Sequence, residues 1–154
     1  MSAGISRSDD GRLFTLALRE WASKFTGSMD ALARQTCQNI SLNVVTDTPV
    51  DTGFLRSSWQ PSIGEPQVTE GDALGAAGAS GRAMSAVGLV CAGLKAGDTY
   101  FMVNNAKYAR RLEFGFVGED SLGRKFNQMG RYFVSDNMAR APAVVEQLTQ
   151  ELKQ

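Results

Sequence analysis

The turn on which the fold depends has the sequence PVDTGFLRSSW, at residues 49–59. Its first residue ends a helix, because the residue before a proline avoids the α conformation. Asp51 or Thr52 can then cap a short helical turn. The alternation of apolar and polar residues over 59–63 predicts a strand, and Pro61 places that strand at a sheet edge. The turn therefore separates a helical N-terminal part of the chain from a mixed remainder.

Upstream of the turn, apolar residues recur at steps of almost always three or four, which predicts one long amphipathic helix. These residues are Phe14, Leu18, Trp21, Phe25, Met29, Leu32, Ile40 and Val44. Asp10 is expected to cap this helix, and Gly27-Ser28 is a point where it can bend or break. Residues 1–12 are polar and rich in Gly, Ser and Asp, so we expect a flexible segment without the apolar core of a signal peptide.

Downstream of the turn, residues 64–85 are rich in Gly and Ala and poor in large apolar side chains. Such a segment buries too little surface to offset its ordering entropy, which predicts a mobile loop. Residues 86–94 and 99–104 predict two strands joined as a hairpin. Lys107–Phe114 predicts a short helix that ends at Gly115.

The C-terminal part is predicted to hold a polar loop at residues 118–130 and then a helix from about Tyr132. An apolar stripe marks this last helix, and Pro142 is expected to kink it. The predicted fold is α+β: a small antiparallel sheet packed against a long N-terminal helix and a C-terminal helix. Residues 13–154 are expected to form this single domain.

Composition excludes several kinds of function. The 154 residues include 16 basic and 16 acidic side chains and no histidine, so the net charge gives no sign of a strong nucleic-acid binder and histidine-dependent catalysis within one chain is excluded. Cys37 and Cys91 match no metal-ligand spacing, and we interpret both as reduced packing residues. We expect no catalytic residue, metal or cofactor. No apolar run is long enough to cross a membrane.

Four further features of the sequence each have a plain structural interpretation. Asp51-Thr52-Gly53 matches an aspartic-protease loop, but that chemistry needs two such loops, and a helix cap with a tight turn is the favoured reading. Lys107, Arg110 and Arg111 form a basic cluster that is interpreted first as a solvated face and alternatively as a contact with DNA or a neighbouring subunit.

Large aromatic residues are expected in the core or at a subunit interface; they are Trp21, Phe25 and Trp59. Glu113 would need a partner if buried, and Arg56 is the candidate.

Two segments give the chain a resemblance to a known family. Residues 49–58 resemble the P-V-D-T-G-x-L-R-x-S signature of phage tail-completion proteins, also called neck or head–tail joining proteins, to which the minor tail protein Z of lambda-type phages is related. Residues 107–115 are similar to the family's second signature, Y-A-x-x-x-E-F-G. The matching positions are Asp51, Thr52, Gly53, Leu55, Arg56, Tyr108, Ala109, Glu113, Phe114 and Gly115.

The resemblance implies a structural virion protein in the tail or neck of a long-tailed bacteriophage, assembled in the host cytoplasm. It implies a homo-oligomeric ring, a hexamer like the tail, and no enzymatic activity. The implied partners are a tail terminator, tail tube or head-completion protein, with non-specific contact to passing DNA as a possibility. The motif positions are expected to fix the fold rather than bind a ligand. A tail terminator subunit and, remotely, a homodimeric aspartic hydrolase are the alternatives.

Overall fold

The computed structural model describes residues 7–154, with side chains from Gly11 onward. In chain order its elements are α1 (Arg7–Asp47), α2 (Phe54–Ser57), β1 (Trp59–Ile63), α3 (Gly75–Ala92), β2 (Tyr100–Asn104), α4 (Ala109–Phe114), β3 (Gly115–Glu119), β4 (Lys125–Met129) and α5 (Ser135–Glu151). β1 pairs antiparallel with β2, and β3 pairs antiparallel with β4. The predicted α+β class, with a long helix before the sheet and a helix at the C-terminal end, is confirmed.

The predicted N-terminal helix is confirmed as α1, which is longer than expected. It begins at Arg7, so residues 7–12 are helical and Asp10 lies inside the helix rather than at its cap. The helix also runs through Gly27-Ser28 without a break. The Ser28 hydroxyl donates to the Lys24 carbonyl at 3.0 Å, which gives this polar side chain a partner within the helix. The rest of the expected flexible segment, residues 1–6, lies outside the described residues.

The predicted Gly/Ala-rich loop and the strand at 86–94 are both wrong over residues 75–92, which form the single helix α3. Alanine is the strongest helix former, and a short apolar run fits a buried helix as well as a strand. One buried stripe at steps of four holds α3 against the domain, and its members are Ala79, Ala83, Val87 and Cys91. The predicted hairpin therefore does not form. β2 pairs with β1, with Trp59 opposite Asn104 and Ile63 opposite Tyr100.

The predicted loop at 118–130 is also wrong, since β3 and β4 form a hairpin there. The Phe116 and Phe126 rings pack on one side of it with centroids 6.1 Å apart. Every residue of β4 is exposed, so no apolar face predicted this strand from the sequence. The predicted C-terminal helix is confirmed as α5, and Pro142 lies within it.

The core lies where the C-terminal half of α1, α2, α3, the β1–β2 sheet and the residues before α5 meet. Its buried members are Val44, Val45, Leu55, Trp59, Ala83, Ala106 and Phe133. The Trp59 ring meets the edge of Phe133 with centroids 6.4 Å apart, and its indole N–H donates to the Thr48 hydroxyl at 2.9 Å. Core packing is thus confirmed for Trp59. It is wrong for Trp21 and Phe25, which are 63% and 56% exposed.

Candidate functional site: the junction of the two motif segments

The two motif segments meet in space, although residues 59–106 separate them in the chain. They line one open pocket of about 440 Å³, to which the first segment contributes Pro49 to Leu55 and the second contributes Tyr108 and Leu112. The Phe54 and Tyr108 rings lie across it with centroids 6.3 Å apart. Burial and the nearby Asp51 carboxylate raise the pKa of Tyr108, while a hydrogen bond with the Leu55 backbone acts in the opposite direction. We call this region the motif junction.

Gly53 makes the turn at the first segment. It stands at the N-terminal end of α2 with φ of 88°, a left-handed conformation that favours glycine. A Cβ at this position would collide with the carbonyl oxygen of Gly75, and the Gly75 amide donates to the Thr52 carbonyl at 2.8 Å. The prediction that Asp51 or Thr52 caps this helix is wrong, because Gly53 takes the cap position without a side-chain cap bond and the Phe54 amide reaches the Thr52 hydroxyl only at 3.3 Å. The glycine therefore seats the start of α3 against the motif.

Arg56 ties the end of α1 to α2 and α3. Its guanidinium donates to the Thr48 carbonyl at 2.7 Å and to the Thr46 carbonyl at 2.9 Å. A third bond reaches the Ser80 hydroxyl at 2.8 Å. A cation at this position satisfies the last carbonyls of α1 and complements the negative end of the helix.

Glu113 does not pair with Arg56, so that hypothesis is wrong. Its carboxylate instead caps the N-terminal end of α5: it accepts the amides of Val134 at 3.0 Å and Ser135 at 2.8 Å, and the Ser135 hydroxyl at 2.5 Å. The Tyr132 amide also donates to the Glu113 backbone carbonyl at 3.0 Å. The side chain is only 5% exposed. Desolvation disfavours its charge, but bonds from Ser135 and from the amides of Val134, Ser135 and Phe133 outweigh it and lower the pKa of Glu113.

Two serines of the first segment hold the chain that leads into α3. The Asp72 amide donates to the Ser57 hydroxyl at 2.9 Å, and the Gly71 amide donates to the Ser58 hydroxyl at 3.0 Å. Both serines are buried. One local pattern hints at these contacts, namely two adjacent small polar residues before the buried Trp59. Their partners, 13 to 15 residues away, carry no pattern that would identify them.

The remaining residues of the second segment shape the start of the β3–β4 hairpin. Ala109 packs against the core, while Phe114 is 57% exposed. Gly115 ends α4 as predicted, with φ of 84°, and a Cβ there would lie 2.6 Å from the Gln128 carbonyl oxygen. The hairpin can therefore fold back on α4 only because this position is a glycine.

The basic cluster lies at the surface, with Lys107, Arg110 and Arg111 all exposed. The Arg111 guanidinium sits 4.2 Å from the centroid of the Phe116 ring, a cation–π contact that fixes one of the three. Arg110 lines a groove beside Trp59. Exposure fits both a solvated face and a contact with DNA or a neighbouring subunit, so both stay predictions.

Groups that chemistry could use are sparse at the motif junction. Asp51 is exposed on the rim, while Arg56 and Glu113 are engaged in the bonds described above. Among residues 7–154, no group of three or more His, Cys, Asp or Glu residues could hold a metal ion. Cys37 and Cys91 are free thiols, and burial raises the pKa of both. In the same described part of the chain, no helix is both long and apolar enough to cross a membrane.

Comparisons with protein-family models, curated proteins and solved structures find no match to this chain.

Proposed function

We propose that the chain is a structural subunit of the virion of a long-tailed bacteriophage, where copies of it form a ring in the tail or neck that joins the tail to the head. The resemblance of two segments to tail-completion proteins prompts this proposal. The observation that carries it is the motif junction, where Asp51, Thr52, Gly53 and Leu55 of the first signature meet Tyr108 of the second. Arg56 and Glu113, outside this pocket, hold helix ends.

A role in assembly is supported by the apolar surface that one copy leaves in contact with water. Residues 11–29 of α1 carry several large apolar side chains, all exposed. The β3–β4 hairpin adds a second such surface, with Val117, Leu122 and Met129 each at least 74% exposed. Exposed apolar surface on this scale is typical of proteins that associate with partners. Under the proposal, the partners are further copies of the chain, a hexamer by analogy with the tail, and a tail terminator, tail tube or head-completion protein.

The proposal assigns no catalytic role. The charged signature residues Arg56 and Glu113 bind backbone groups that would otherwise lose their partners. The basic residues Lys107, Arg110 and Arg111 would face the lumen or an adjacent subunit in the ring. Assembly would take place in the host cytoplasm, and the protein would remain in the virion.

The test is electron microscopy of phage particles made without this protein. We expect full heads and tails of normal length that fail to join, with joining restored when the protein is added back. Tails longer than normal would instead identify a terminator that caps the tube. Infectious, normally joined particles without the protein would contradict the proposal.

A further inference from the structure

The first part of α1 projects from the domain without a partner. Every residue from Gly11 to Met29 is exposed, and the side chains of Asp30 and Arg34 bond to the loop after α3. The Asp30 carboxylate accepts the Ala96 amide at 2.9 Å, and Arg34 donates to the Leu94 carbonyl at 2.8 Å. We call residues 11–29 the arm. At 1.5 Å per residue the arm extends about 27 Å from the domain.

The arm carries an apolar stripe that cannot belong to the core of its own domain. Its members at helical spacing are Phe14, Leu18, Trp21, Phe25 and Met29, with exposures of 39% to 69%. Trp21 precedes the buried Ser41, and Phe25 precedes the buried Val45, by twenty residues each. Twenty residues at about 100° each amount to five full turns plus about 200°, so residues twenty apart point to nearly opposite sides of the helix. The stripe thus faces away from the side on which α1 contacts its own domain.

The domain has an unfilled apolar groove of its own. Two adjoining pockets of about 290 and 340 Å³ share Trp59, Met102 and Val134 as lining residues. Ile40 and Val44 of α1 and Met138 of α5 extend the lining, and Met138 is 56% exposed. This groove opens between α1, the β1–β2 sheet and α5. Its apolar lining suits an amphipathic helix, which binds through apolar side chains spaced along one face.

The arm cannot fill the groove of the same copy. The groove is lined by Ile40 and Val44 of α1 itself, and α1 is continuous from Arg7 to Asp47. Phe25 and Ile40 are therefore separated by about 22 Å along one unbroken helix axis, and the helix would have to break to fold back. A second copy can supply the arm without any such break.

Three aromatic side chains of the arm alone supply a large share of the area that a specific contact between proteins needs. Phe14, Trp21 and Phe25 are each more than half exposed, and the three together present roughly 300–450 Å². That is a third to a half of the roughly 800 Å² that each partner buries in a standard interface. The two aromatic rings nearest the domain, Trp21 and Phe25, stack with centroids 5.6 Å apart and form one rigid apolar block.

We infer that the arm of one copy binds in the groove of the next copy. Arm and groove are different surfaces, so this contact is head-to-tail, and repeating it closes a ring or extends a filament. The inference deepens the proposed ring function and rests on it for the biological role of the contact. The contact itself is a property of the isolated protein.

The test uses the full chain with three variants in sedimentation velocity. The arm variant carries Trp21→Ser and Phe25→Ser; the groove variant carries Met138→Glu, at an exposed position. The matched control carries Arg19→Ala and Ser23→Ala, which share the four-residue spacing but lie on the opposite face of the arm. We expect the first two to raise the dissociation constant for self-association at least tenfold with unchanged thermal unfolding, and the control to assemble like the wild type.

A mixture of the arm and groove variants distinguishes arm-to-groove from arm-to-arm association. The intact arm of the groove variant can bind only the intact groove of the arm variant, so we expect dimers and nothing larger. If the groove variant assembles like the wild type, the arms associate with one another and the inference fails. It fails too if the wild type stays monomeric at a concentration on the order of 100 μM, where weak protein contacts would already form. Binding of the monomeric arm to phosphatidylglycerol vesicles would also reject it. Normally joined particles made without the protein, together with intact arm-to-groove association of the isolated chain, would instead reject the proposed function alone.

Discussion

Replacing Gly53 with alanine is expected to lower the free energy of unfolding by about 2–5 kcal/mol, measured by urea denaturation of the full chain. Two costs add at this position. The backbone has φ of 88°, which an L-residue with a Cβ adopts only with strain. The new methyl group would also collide with the Gly75 carbonyl oxygen, and that backbone is held by the bond from the Gly75 amide to Thr52.

Gly64 provides a matched control because the chain repeats the same backbone angle there. Its φ is also 88°, but nothing lies within 4 Å of a Cβ built on it. Gly64→Ala should therefore cost only the backbone strain, about 1–2 kcal/mol. Equal losses for the two substitutions would show that the close approach of α3 to the motif contributes nothing to stability.

Replacing Glu113 with alanine is expected to cost about 2–4 kcal/mol of unfolding free energy at pH 7. The substitution leaves the amides of Val134 and Ser135 without their acceptor at the start of α5. It also removes a negative charge from the positive end of that helix. Glu146→Ala, at an exposed position later in α5, serves as the control and should change stability by less than about 0.5 kcal/mol.

The cost of Glu113→Ala should depend on pH. The folded chain lowers the pKa of Glu113, so its ionised form is favoured by folding. Its stabilisation is complete above the unfolded pKa, about 4.3, and is lost as the pH falls through the lower folded value. The difference in stability between wild type and variant should thus shrink from pH 7 to pH 3. A difference that stays constant over this range would show that the carboxylate charge has no part in the cap.

Sequence patterns predicted the elements whose signals are local. The spacing of apolar residues predicted α1 and α5, the proline turn predicted α2 and β1, and Gly115 marked the end of α4. The pattern failed at α3, because its buried side is made mainly of Ala79 and Ala83, which carry almost no hydrophobic signal. It failed again at β4, whose residues are all exposed and so show no alternation to read.

The candidate site could be predicted only as a set of residues, not as a set of contacts. The two motif segments were recognisable in the sequence, and their meeting at one pocket was not. Arg56 and Glu113 were expected to bind each other as opposite charges. In the structure each binds backbone groups at a helix end, the carbonyls of Thr46 and Thr48 and the amides of Val134 and Ser135. Such partners depend on where helices begin and end in space.

The prediction of one core-facing stripe along α1 is also wrong, for a physical reason. Steps of three and four run through Phe14 to Val44, and they suggested one core-facing side. A helix turns by slightly more or less than one full turn at each such step, so the apolar side can drift around the helix axis. The buried side chains among the described residues of α1 are Ser41, Val44 and Val45, while Trp21 and Phe25 are mostly exposed.

The central claim is that this chain acts by assembling with copies of itself, and its mass in solution tests that claim most directly. We would measure the native mass of the full chain by mass spectrometry, alone and with the tail proteins of its phage. The account predicts a closed ring, which for six copies of 16.6 kDa is about 100 kDa. A single 16.6 kDa protomer under both conditions would contradict it.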